Sequence, residues 1–194
     1  MNKEETAVDV FPSFPTPIII REIPDFHKVK TDFVQDVYKY DEENVNGAPE
    51  NIFNLLEFQK YFPLIYNEIE TSLSPIMDNL DLITPSRIVR SDISIIKPNH
   101  HIEPRACSGH DITGILVVDC PFKFSGDFVF LSQHHNHFFH KLLNKNMKDM
   151  YFSDNVRIPP ADGRLIIFPS TLIYYGETNK TDMNKIIISF DIKL

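Results

Sequence analysis

Tryptophan is absent from these 194 residues, and cysteine and glycine are scarce, at two and six. Two cysteines, Cys107 and Cys120, do not make the disulfide framework on which small secreted folds depend. So few glycines, with no clustered run among them, leave no phosphate-cradling loop. Positive charge is also short: 19 Lys and Arg stand against 27 Asp and Glu, for a net charge of −8. With no basic block, a nucleic-acid partner held through its phosphates is not expected. No apolar run approaches the roughly 20 residues that span a bilayer, so no membrane partner is expected either. The leader MNKEETAVDV lacks the hydrophobic centre of a signal peptide, which makes synthesis in the cytoplasm the default. No internal repeat, interdomain linker or Ser-His-Asp order stands out.

What is present is an ordinary globular composition, 42% apolar and 24% charged, with sixteen phenylalanines to build the core. The length suits one domain, residues 1–194, with 1–10 as a polar leader and 132–155 as an insertion. The chain is organised around ADGRLIIFPSTLIYYGETN, Ala161 to Asn179. Asp162-Gly163 marks a turn, Arg164 to Phe168 a short apolar strand, and Pro169 ends it because proline cannot donate to a ladder. Leu172 to Tyr175 forms a second strand. A strand, a Phe-Pro-Ser corner and another strand turn the chain across the mouth of a double-stranded β-helix, or jelly roll.

Upstream, Pro12, Pro15 and Pro17 exclude helix, and Ile18 to Ile20 reads as an edge strand. Asp25 is placed to cap a helix running to about Tyr40, with Phe26, Val29, Phe33 and Val37 at helical spacing. A second helix is expected from about Asn51 to Leu73, with Pro63 kinking or splitting it. From Arg87 the period becomes two, which gives a long strand with one half-wet face. Ile112 to Val118 is a buried strand, and Gly126 to Leu131 its hairpin partner. Lys185 to Ile192 is the last strand. Together these give an α+β fold: a jelly-roll β-sandwich with two N-terminal helices on one sheet.

Two motifs, Gly163-x-Leu165-x-x-Phe168-Pro169-Ser170 and Phe14-Pro15-Thr16-Pro17-Ile18, resemble the iron(II)/2-oxoglutarate oxygenases of the prolyl-hydroxylase-like type common in marine phage genomes. The resemblance implies an iron held by two histidines and a carboxylate, with 2-oxoglutarate beside it. It places the distal histidine six residues after Phe168, where this chain has Tyr174. Counting back without a gap from the strand Thr113 to Val118, it places the first ligand pair on Arg105 and Cys107. It gives the cation that anchors 2-oxoglutarate as Lys185. Arginine has no lone pair to give, so the three metal positions read as degenerate. A shifted alternative uses His101, Glu103 and His110.

Elsewhere, His134, His137 and His140 have helical spacing, with His135 among them, and a solvated or interface loop is preferred there to a metal site. Phe138 and Phe139 within that polar insertion suit a partner contact. Cys107 has no base beside it in the sequence to make it a nucleophile. The expectation is therefore an inactive oxygenase-like domain serving as a structural or interaction component of a phage virion, made in the host cytoplasm. It would be surrounded by other protein subunits, or by copies of itself, and no cofactor is expected. The alternatives are an active cytoplasmic iron(II)/2-oxoglutarate hydroxylase with an atypical metal site, and a sugar- or ligand-binding jelly roll without metal.

Overall fold

The computed structural model describes residues 16–43, 51–79, 86–106, 109–121, 124–132 and 155–194. Its backbone runs β1 (Ile19–Glu22), α1 (His27–Glu43), a 3-10 turn (Ile52–Asn54), α2 (Leu56–Gln59) and α3 (Phe62–Asn79) before the main strands begin. These are β2 (Arg87–Ile96), β3 (Ile102–Arg105), β4 (Ile112–Asp119), β5 (Phe128–Leu131), β6 (Asn155–Ile158), β7 (Arg164–Pro169), β8 (Tyr174–Gly176) and β9 (Lys185–Lys193). They form two antiparallel sheets, β1-β7-β4-β9-β2 and β3-β8-β5-β6. This is the jelly-roll sandwich that the strand pattern implied.

The five-stranded sheet is covered on both faces, which explains why β4 and β9 read as continuous apolar runs rather than alternating ones. Leu116, Val118, Leu165, Ile167, Ile186 and Ile188 turn to the helices, where they meet Phe33, Phe58, Ile65 and Ile69. Their neighbours Ile115, Val117, Ile166, Phe168 and Ile187 turn the other way, into the space between the sheets. There they pack on Phe128, Phe130 and Tyr174 from the smaller sheet. Phe33 stacks on Tyr61 with ring centroids 3.9 Å apart, joining α1 to the turn before α3.

Of the two outcomes expected at Pro63, splitting is the one found: α2 ends at Gln59, and Pro63 sits in the first turn of α3, where the missing N–H has no helical acceptor to lose. Three sequence expectations need correction. Asp25 does not cap α1: it lies two residues before it, at φ 57, with its carboxylate paired to Lys28 at 2.9 Å. The segment Gly126 to Leu131 is not the hairpin partner of β4. Strand β4 lies between β7 and β9, and β5 is in the other sheet between β6 and β8. Residues Phe124 and Gly126, both at positive φ, carry the chain across the sandwich edge instead of back along it. Finally, residue 155 opens β6 rather than closing the insertion. Residues 133–154 of the insertion, including the four histidines and Phe138-Phe139, lie outside the described residues, as do Cys107 and the 1–10 leader.

Candidate functional site

The Phe-Pro-Ser corner positions the mouth of the barrel. Strand β7 ends at Pro169 opposite Ile112, and the N–H of Leu172 closes the corner on the Pro169 carbonyl at 2.9 Å. The Ser170 N–H donates to the Asp111 carbonyl at 3.2 Å, and its hydroxyl to that of His110, which ties the corner to the start of β4. Strand β8 then begins with Tyr174, which pairs directly with Arg105 on β3 and with Phe130 on β5.

Two of the three positions singled out for a metal therefore meet. Arg105 Nε donates to the Tyr174 hydroxyl at 2.7 Å, and the guanidinium lies 5.3 Å from the ring centroid. Tyr174 is 1% exposed and is packed between Phe130 and Phe168, at centroid distances of 5.9 and 5.0 Å. Arg105 Nη2 is buried and has no hydrogen-bond partner among the described residues.

The shifted alternative is spread over two places. His101 and Glu103 face each other at 3.5 Å on the exposed side of β3. His110 faces Asp191 at 3.9 Å, and Thr113 donates to the same carboxylate at 3.0 Å. Among the described residues no group of three or more His, Cys, Asp or Glu is placed to hold a metal ion.

Lys185 opens β9 and points between the sheets, with the same parity as Ile187. It is fully buried, donates to the Gly126 carbonyl at 2.9 Å and lies 4.8 Å from the Phe128 centroid. Burial pushes its ammonium down to about 8, while the carboxylates of Asp127 and Glu177 favour the charged form. It makes no salt bridge among the described residues. Sequence reasoning had its position but not its isolation, since nothing in the pattern shows that the facing strand offers a carbonyl instead of a carboxylate.

At the other end of the barrel lies a cleft of about 730 Å³ that the sequence did not signal. His101, Phe124, Asp127, Pro159, Tyr175 and Glu177 are among its walls. Cys120 also lines it, with a thiol that burial and the nearby Asp162 carboxylate push up to about 12, so it is protonated and unreactive at neutral pH.

No protein-family model matches the chain, and no curated protein sequence matches it. Solved structures do. A prolyl-4-hydroxylase from Pseudomonas putida superposes with a TM-score of 0.59 at 8% identity, over 92% of this chain and 89% of that one. The non-heme α-ketoglutarate-dependent epimerase SnoN of nogalamycin biosynthesis gives 0.62 at 12%, over 91% and 77%. HygX from Streptomyces hygroscopicus, with nickel and 2-oxoglutarate bound, gives 0.59 at 11%, over 92% and 82%. At such identities the likeness is one of fold: the chain has the jelly roll found in 2-oxoglutarate-dependent oxygenase structures.

These structures overturn the expectation of no cofactor, because the fold includes proteins solved with a divalent metal and 2-oxoglutarate bound. The residues here can then be tested against each group. The metal does not fit the described positions: Arg105 offers only donors, and the Tyr174 oxygen is engaged by Arg105 Nε. A carboxylate fits better, since Lys185 is a buried ammonium that forms no salt bridge among the described residues.

Proposed function

We propose that this chain is an oxygenase-fold protein that does not hydroxylate and serves as a structural or interaction component of a larger assembly. The observation that carries this is the Arg105–Tyr174 bond at the barrel mouth. Two side chains at positions that would have to donate lone pairs to iron are spent on one another. A guanidinium there also places a fixed positive charge where a cation would have to sit. The phage particle remains the proposed setting, on the strength of the two proline-bearing motifs.

The test is anaerobic iron(II) titration followed by measurement of succinate released from 2-oxoglutarate. The protein is expected to release none above the protein-free rate. The combined variant Arg105→His, Cys107→Asp, Tyr174→His is expected to gain measurable affinity for iron(II) or nickel(II). Succinate release by the unmodified chain overturns the proposal.

A further inference from the structure

The cleft at the far end of the barrel is a built surface. Strand registers put it there: Arg105 pairs with Tyr174 at the mouth, Ile102 with Gly176 further in, and His101 and Glu177 lie beyond. Its lip is held in an unusual conformation. Phe124 has φ 69, in the left-handed region that bulky side chains avoid, and its ring is 76% exposed.

The loop that presents this ring is pinned at three points. The Phe124 carbonyl accepts from Lys180 N–H at 2.9 Å, and the Asp127 carbonyl accepts from Glu177 N–H at 2.8 Å. Between them, the Gly126 carbonyl accepts from Lys185 Nζ at 2.9 Å. Gly126 itself is at φ 81, and a Cβ there would stand 2.2 Å from the Glu177 carbonyl oxygen, so the turn admits no other residue without movement. The backbone that carries Phe124 is thus held in place, which sets the point from which the exposed ring projects. Local strain at a preorganised position is a recurrent mark of a ligand site.

The polar groups around the platform decide what it takes. Glu177 is held by Arg157, so its carboxylate is fixed in place. Asp127 makes no salt bridge among the described residues, and neither does Lys180. His101 contributes an exposed ring. An anionic ligand would meet Asp127 and Glu177. A cationic one would meet Lys180, with Lys185 buried below. A neutral molecule with several hydroxyls satisfies acceptors and donors together, and its carbon–hydrogen face suits the Phe124 and Tyr175 rings. A cleft of about 730 Å³ has room for one or two such rings.

We infer that this cleft is a carbohydrate-binding site, with Phe124 and Tyr175 as ring platforms and Asp127 and Glu177 as hydroxyl acceptors. It is separate from the barrel mouth, so the succinate assay leaves it untouched. The probes are the methyl glycosides of glucose, galactose, mannose and N-acetylglucosamine, titrated into the full chain and read by saturation-transfer difference NMR. At least one is expected to bind. Phe124→Ala is expected to weaken it about tenfold, the size of effect an aromatic stacking contact gives. Phe124→Tyr should retain binding. Asp127→Asn, which keeps the shape of the side chain and removes one acceptor charge, should also weaken it. Saturation transfer from none of the four glycosides, transfer that survives both Phe124→Ala and Asp127→Asn, or preferential binding of choline overturns the inference.

Discussion

Lys185 shows at a single residue how this barrel trades stability for a retained charge. A lysine whose folded pKa lies below its unfolded value is less protonated in the folded chain, so the cost of its burial is greatest at neutral pH. That cost falls as the pH rises from about 8 toward the ordinary lysine value. Lys185→Met is therefore expected to raise unfolding stability at neutral pH by about 1–3 kcal/mol, even with the Gly126 carbonyl left without its donor. The gain should shrink when denaturant melts are repeated near pH 9. A loss of stability at neutral pH would mean that the carbonyl bond and the Phe128 contact outweigh desolvation. Asp36 acts in the opposite sense. Burial pushes its carboxyl up, but hydrogen bonds from Lys60 and Tyr61 outweigh this and hold it below the usual range, so its contribution is lost as the solution turns acid.

At the scale of elements, Lys30 ties the helical layer to the sheet at two points. Lys30 on α1 bridges Asp119 at the end of β4, at 2.6 Å, and Asp162 in the turn before β7, at 2.5 Å. Asp162 also accepts from the Cys120 N–H at 2.8 Å. Lys30→Met leaves two carboxylates facing each other and is expected to lower stability by about 1–2 kcal/mol in urea melts. An unchanged midpoint would show that α1 docks through Phe26, Phe33 and Val37 alone. Strands with strong local signals were legible in the sequence: β2 by its alternation, β4 and β9 by their apolar runs, and β7 by its Asp-Gly start and Pro169 end. Pairing was not. The turn at 120–127 resembles a hairpin because Pro121 and Gly126 are local, whereas its destination in the other sheet depends on β8, some fifty residues later. Strands β3 and β6 are short and polar outward, with nothing periodic to mark them. At the site, the positions of Arg105, Tyr174 and Lys185 could be counted from motifs. The bond between the first two could not, nor the cleft, whose walls come from four separate stretches.

Across the whole molecule, the two cores share one sheet. Alternate residues of β4, β7 and β9 feed the helical layer and the barrel interior, so neither core can be dismantled while the other keeps its packing. Thermal unfolding followed by far-ultraviolet circular dichroism and by tyrosine fluorescence is expected to give coincident single transitions. Separated midpoints would show that the small sheet melts alone. The Arg105–Tyr174 pair carries a further consequence. Replacing either residue alone takes this bond from the other, a guanidinium or a phenol walled in by Phe130 and Phe168. Each single substitution is therefore expected to cost more than half of what the double substitution costs, a non-additivity that urea melts of the three variants would read directly.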